Sequence, residues 1–127
     1  QRSAGAGKVL VIDDEGIVRH TARVALQRYG FEVLVASDGR AGLEVFRNLQ
    51  DRDIIVLLDM TMPVMSGEET FRELRMIRPD VRIILSSGYN EADAVRRFTG
   101  KGLTGFIQKP YTADRLAKAV RAALKEY

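Results

Sequence analysis

Carboxylates collect at two places in this 127-residue chain, Asp13, Asp14 and Glu15 near its start and Asp59 near its middle. A lone aspartate of this kind is commonly a helix cap or a turn residue. Several at one edge are a different matter, because like charges raise each other's pKa and destabilise a site unless a cation shares it. Hard carboxylate oxygens suit magnesium or a similar ion better than zinc. Asp59 is the candidate nucleophile: a carboxylate already ionised at neutral pH attacks phosphorus without a general base, and the product is an aspartyl phosphate. Such a transfer depends mostly on positioning and on neutralising charge, and Lys109 supplies a second positive charge beside a divalent ion.

Short β-branched runs precede these residues. Val9 to Ile12, Val33 to Val35, Ile54 to Leu58 and Ile83 to Leu85 suit strands buried on both faces, and a shorter run surrounds Phe106 and Ile107. Helical spacing fills the intervals. Leu116, Ala119, Val120, Ala123, Leu124 and Tyr127 form one apolar stripe; Ile17, Thr21, Val24 and Arg28 share another side; Leu43, Phe46 and Leu49, then Phe71, Leu74 and Ile77, mark two more helices. Ser66 with Glu69 fits a capping box, Ser37 or Asp38 and Asn90 are cap candidates, and Thr112 stands where a final helix could begin. Five strands alternating with five helices predict a doubly wound α/β fold with a parallel sheet between helical layers. In such sheets ligands bind beyond the carboxyl ends of the strands. Asp13 and Asp14 follow the first run, Asp59 the third, Ser86 and Ser87 the fourth, and Lys109 and Pro110 the fifth.

The length suits one domain with one real core, expected over residues 8–127 after a flexible linker or expression remnant at 1–7. Without cysteine, neither a disulfide framework nor a thiolate metal site is available. The apolar runs are too short to cross a bilayer and the start does not read as a signal peptide, so a cytoplasmic domain without membrane contact is expected. The net charge of +3 is concentrated from Glu91 onward, with eight basic residues against four acidic ones. No aromatic residues interleave with the basic ones in a nucleic-acid motif, so a solvated or protein-binding face is expected rather than direct nucleic-acid binding.

Val-Leu-Val-Ile-Asp-Asp-Glu at 9–15, Leu-Leu-Asp-Met-Thr-Met-Pro at 57–63, Ser-Ser-Gly at 86–88 and Gln-Lys-Pro at 108–110 together resemble the receiver domains of response regulators in two-component signalling. The resemblance implies the flavodoxin-like strand order 2-1-3-4-5 and a phosphorelay role, with a magnesium-dependent transfer from phosphohistidine to Asp59. It further implies that the domain catalyses its own phosphorylation and dephosphorylation. By the same resemblance Asp14 is a direct magnesium ligand, Asp13 acts through water, and Asp59 and the Thr61 backbone carbonyl complete the protein ligands. Ser87 is matched to the family's mobile hydroxyl, chosen over Ser86 because Gly88 fits the small residue that follows it, and Lys109 to the family's lysine. Phe106 takes the aromatic switch position, where many relatives carry tyrosine, and the peptide bond before Pro110 is expected to be cis. Thr61 and Tyr89 stand where the family varies its dephosphorylation rate.

The implied partners are a histidine kinase or a histidine phosphotransfer domain. Inward movement of Ser87 would vacate space beneath Phe106 and shift the face of helix 4, strand 5 and helix 5. On that face lie Arg96, Arg97, Lys101, Arg115, Lys118 and Arg121, a surface for partners or self-association. The sequence ends with its last helix, so the effector is expected to be missing or external. The segments 86–90 and 100–106 are similar to receivers at the C-terminus of hybrid sensor histidine kinases, against a free-standing regulator as the alternative.

Rival readings fit less well. Gly5, Gly7 and Lys8 are not a phosphate-binding loop, because no strand precedes them and Val9 replaces the required Ser or Thr. His20 lies inside the first helix, away from every strand end. An aspartyl-phosphate phosphatase would carry a second Asp where Thr61 stands. A degenerate receiver that only binds would not need Asp14, Asp59 and Lys109 together.

Overall fold

The computed structural model describes residues 7–49, 54–62, 64–88, 96, 98 and 102–125. Five strands form one parallel sheet in the order β2-β1-β3-β4-β5: β1 Lys8–Ile12, β2 Glu32–Ala36, β3 Ile54–Asp59, β4 Arg82–Ser87 and β5 Gly105–Gln108. Each apolar run became a strand, extended by one to three neighbouring residues. Described in full are four helices, α1 Gly16–Arg28, α2 Gly39–Arg47, α3 Gly67–Ile77 and α4 Ala113–Lys125. The remaining expected helix, with Asn90 as its cap, falls largely outside the described residues, as do Tyr89, Arg97, Lys101 and residues 1–6.

The strand period of two divides the core into halves. Leu10, Ile12, Val56, Leu58, Ile83 and Leu85 face α2 and α3, where Phe46, Phe71 and Leu74 are buried. Val9, Val11, Ile55, Leu57, Ile84 and Ile107 face α1 and α4, against Leu26, Leu116 and Val120. Burial on both faces is the condition under which parallel strands read as continuous apolar runs.

Caps are set by local chemistry. The Asp38 side chain accepts from the Ala41 N–H at 2.8 Å, which decides between Ser37 and Asp38. Ser66 Oγ accepts from Glu69 N–H at 3.1 Å. Thr112 Oγ1 accepts from Arg115 N–H at 3.1 Å at the start of α4. These bonds satisfy helix N–H groups that have no partner within the helix.

The stripe expected on α1 is reversed. Ile17 is 83% exposed, and Thr21, Val24 and Arg28 also face outward. The helix instead buries Ala22, Ala25 and Leu26. Two alanines beside one leucine let the helix axis approach the sheet closely, an arrangement that ranking residues by apolar size does not reveal. Among the described residues, no helix is long and apolar enough to cross a membrane.

Candidate functional site

The alternation along the strands carries chemistry past their ends. Val9 and Val11, Ile55 and Leu57, and Ile107 all face α1 and α4, and continuing that period brings Asp13, Asp59 and Lys109 to the same side at the carboxyl edge. The register aligns the segments: Ile12 pairs with Leu58, Asp59 with Ser86 and Ser87 with Gln108. Backbone bonds then tie the exits together, from Met60 N–H to Ser86 O at 2.9 Å and from Lys109 N–H to Ser87 O at 2.9 Å. Asp59 and both serines are therefore the last residues of strands rather than the first of loops, and all three are buried.

Lys109 is the hub of the charged cluster. Its Nζ lies 2.9 Å from Asp13 Oδ2, 3.3 Å from Asp59 Oδ1 and 3.5 Å from Glu15 Oε2. Burial alone would lower the lysine pKa, but the hydrogen bond to Asp13 and the charges of Asp59 and Asp13 outweigh it and hold the ammonium protonated. Asp13 is engaged on every side: Oδ1 accepts from Glu15 N–H at 2.9 Å, and its backbone carbonyl accepts from Arg19 Nη1 at 2.7 Å. Asp14, by contrast, is exposed.

Carboxylate oxygens of Asp13, Asp14 and Asp59 lie within 4.8 Å of one another. One lysine among so many carboxylates leaves negative charge in excess, so this acidic pocket fits a hard cation. Thr61 lies beside it, its N–H 3.4 Å from Asp59 Oδ1. An open cavity of roughly 630 Å³ reaches from Asp14, Asp59, Thr61 and Lys109 to Ile17 of α1 and Tyr111. The Lys109–Pro110 peptide is cis.

Asp59 departs from the expectation that it is simply ionised. Burial first, and then the charge of Asp13, push its pKa from 3.8 up to about 7, against the lowering influence of Lys109. The metal-free fold thus holds more protons than the unfolded chain between these two values, and stability falls as pH rises through that window. Urea unfolding in a chelator should give wild type a larger loss between pH 5 and pH 8 than Asp59→Asn shows. Parallel pH profiles for the two proteins would contradict the assignment of this effect to Asp59.

Ser87 and Phe106 belong together on the sheet. Ser87 continues the β4 face of Ile83 and Leu85, and Phe106 packs against that same cluster. Ser86 continues the face of Ile84 on the opposite side.

Gly67 was not singled out from the sequence. A Cβ there would stand 2.6 Å from Met60 Cα and 2.7 Å from the carbonyl oxygens of Asp59 and Met60. All three are backbone atoms, so the start of α3 must move away from the end of β3 to admit it. Gly67→Ala is expected to cost about 1–3 kcal/mol, as overpacking does. Chemical denaturation checks this, and a loss below about 0.5 kcal/mol, the ordinary surface range, would show that the contact relaxes freely. The only signal available was a glycine directly after the capping Ser66, which is too common to be specific.

The model of the response regulator receiver domain matches residues 9–121. The chain belongs to the receiver family. The receiver is 36% identical over 123 residues to the sensor kinase CckA of Brucella abortus, covering 97% of the chain but only 13% of that protein. It is 31% identical to the chemotaxis protein CheY of Bacillus subtilis over 120 residues, or 94% and 98% of the two chains. A crystal structure of a response regulator receiver domain protein from Clostridium thermocellum superposes with a TM-score of 0.85 at 33% identity, covering 94% of this chain and 95% of that one. The doubly wound sheet of this receiver is thus the flavodoxin-like family fold, and its role is phosphoacceptor signalling in a two-component system.

Proposed function

We propose that this receiver accepts its phosphoryl group on Asp59, from a phosphohistidine and in the presence of magnesium. The observation that carries the reading is the buried Asp59 carboxylate at the end of β3, with Lys109 Nζ 3.3 Å from its Oδ1 and the oxygens of Asp13 and Asp14 close by. Asp14, exposed, would be a direct ligand of the ion, as would Asp59 and the carbonyl of Thr61; Asp13, already held by Glu15 N–H and Lys109, would act through water. Magnesium supplies positive charge that favours the ionised carboxylate and the phosphoryl oxygens. A carboxylate oxygen of Asp59 attacks phosphorus, the new P–O bond replaces the P–N bond, and the imidazole leaves with the electron pair. Lys109 turns its ammonium from Asp13 and Asp59 towards the phosphoryl oxygens.

The donor is a histidine kinase or a histidine phosphotransfer domain, the partner class with which receivers work in general. The match to a small part of a sensor kinase favours a domain of a hybrid kinase, occupying residues 8–127 and working in the cytoplasm. Once phosphorylated, Ser87 moves inward and Phe106 follows. The effect reaches the face where Arg115, Lys118 and Arg121 are exposed on α4, a surface for protein partners or a second copy rather than nucleic acid.

Intact mass after incubation with a small acyl-phosphate donor tests the reading. A phosphate adduct is expected with magnesium and not with EDTA. No adduct, even from a competent phosphohistidine donor, would reduce the chain to a binding module.

A further inference from the structure

Tyr111 follows the lysine and proline of the site, and neither the charged cluster nor the switch uses it. Its ring packs against the core half shared by α1 and α4, which fixes where the hydroxyl can be. That hydroxyl is buried and has no hydrogen-bond partner among the described residues, yet Tyr111 lines the same cavity as Asp14, Asp59 and Lys109. A buried hydroxyl without a partner costs the free energy of its lost hydration, and native structures rarely tolerate one without cause. No described acceptor reaches the hydroxyl; the Asp13 oxygens are turned to Glu15 N–H through Oδ1 and to Lys109 through Oδ2. The phenol also lies in the field of these groups: burial, then the charge of Asp13, push its pKa up to about 12, so it remains a donor at any working pH.

We propose that Tyr111 is a donor to the phosphorylated state, its hydroxyl taking as acceptor an oxygen that arrives with the phosphoryl group on Asp59. This rests on Asp59 being the phosphoacceptor. A phosphoryl group brings about two negative charges and three acceptor oxygens with several lone pairs each, so beside magnesium, Lys109 and one serine hydroxyl there is still an acceptor for a further donor. Among the described residues the free domain offers the hydroxyl no acceptor, and phosphorylation supplies one.

Beryllium fluoride, which takes the place of a phosphoryl group on a carboxylate, tests this with wild type and Tyr111→Phe at saturating magnesium. Removing one hydrogen bond should weaken beryllium fluoride binding about 3–10-fold and shorten the lifetime of the phosphorylated form. Magnesium affinity without the fluoride should stay within about twofold, and the free variant should be as stable as wild type or more so. Equal beryllium fluoride affinities overturn the inference. So does a free variant destabilised as much as its fluoride binding is weakened, for the hydroxyl is then already satisfied, by water for example. If wild type binds no beryllium fluoride, the phosphoacceptor reading itself has failed; if wild type binds it and Tyr111→Phe matches, only the role of Tyr111 has.

Discussion

Asp59→Asn should take up no phosphate from an acyl-phosphate donor under conditions that convert wild type, leaving only the uncatalysed background. The substitution keeps shape and burial but replaces the nucleophilic carboxylate with an amide that does not form a stable bond to phosphorus. Loss through misfolding is separable: removing a buried charge whose pKa stands near 7 should leave the metal-free variant at least as stable as wild type at pH 8. Intact mass reads the first outcome and urea unfolding the second. An adduct that persists on Asp59→Asn would move the acceptor elsewhere, with exposed Asp14 the next residue to map.

Lys109→Met should slow phosphorylation about 10²–10³-fold, the range found when one preorganised group that stabilises developing charge is removed. The ammonium lies within 3.5 Å of three carboxylates, so its loss also makes the pocket more negative. Magnesium should therefore bind the variant more tightly, while the transfer becomes slower. That opposition separates a role on the phosphoryl group from a role in retaining the ion. Stopped-flow rates at saturating magnesium, with a separate magnesium titration, check both; an unchanged rate would remove Lys109 from the chemistry.

Much of this was legible in the residues. The five apolar runs gave the strands because sheets covered on both faces demand continuous hydrophobic residues, and Asp13, Asp59 and Lys109 were legible because their types stand where those runs stop. Asp38, Ser66 and Thr112 were readable as caps because capping is local chemistry. The inward face of α1 was not readable: small Ala22 and Ala25 lie against the sheet while Ile17 points away. Gly67 escaped notice because its constraint comes from the backbone of Met60, a tertiary contact that no side-chain type announces. The protonation of Asp59 depends on depth of burial, which sequence does not measure. The strand order came from the family resemblance, since alternation alone permits several.

Asp59 is paired in register with Ser86, Ser87 with Gln108, and Ile12 with Leu58. The groups that meet at this edge are drawn from four segments separated by tens of residues, so no short fragment of the chain holds the complete site. Closing those long loops comes before any charge is in place. Full competence to receive a signal is thereby a property of the finished sheet. A chain whose last two strands have not docked offers a phosphodonor carboxylates without Ser87 and Lys109, and loading with phosphate doubles as a test of complete folding.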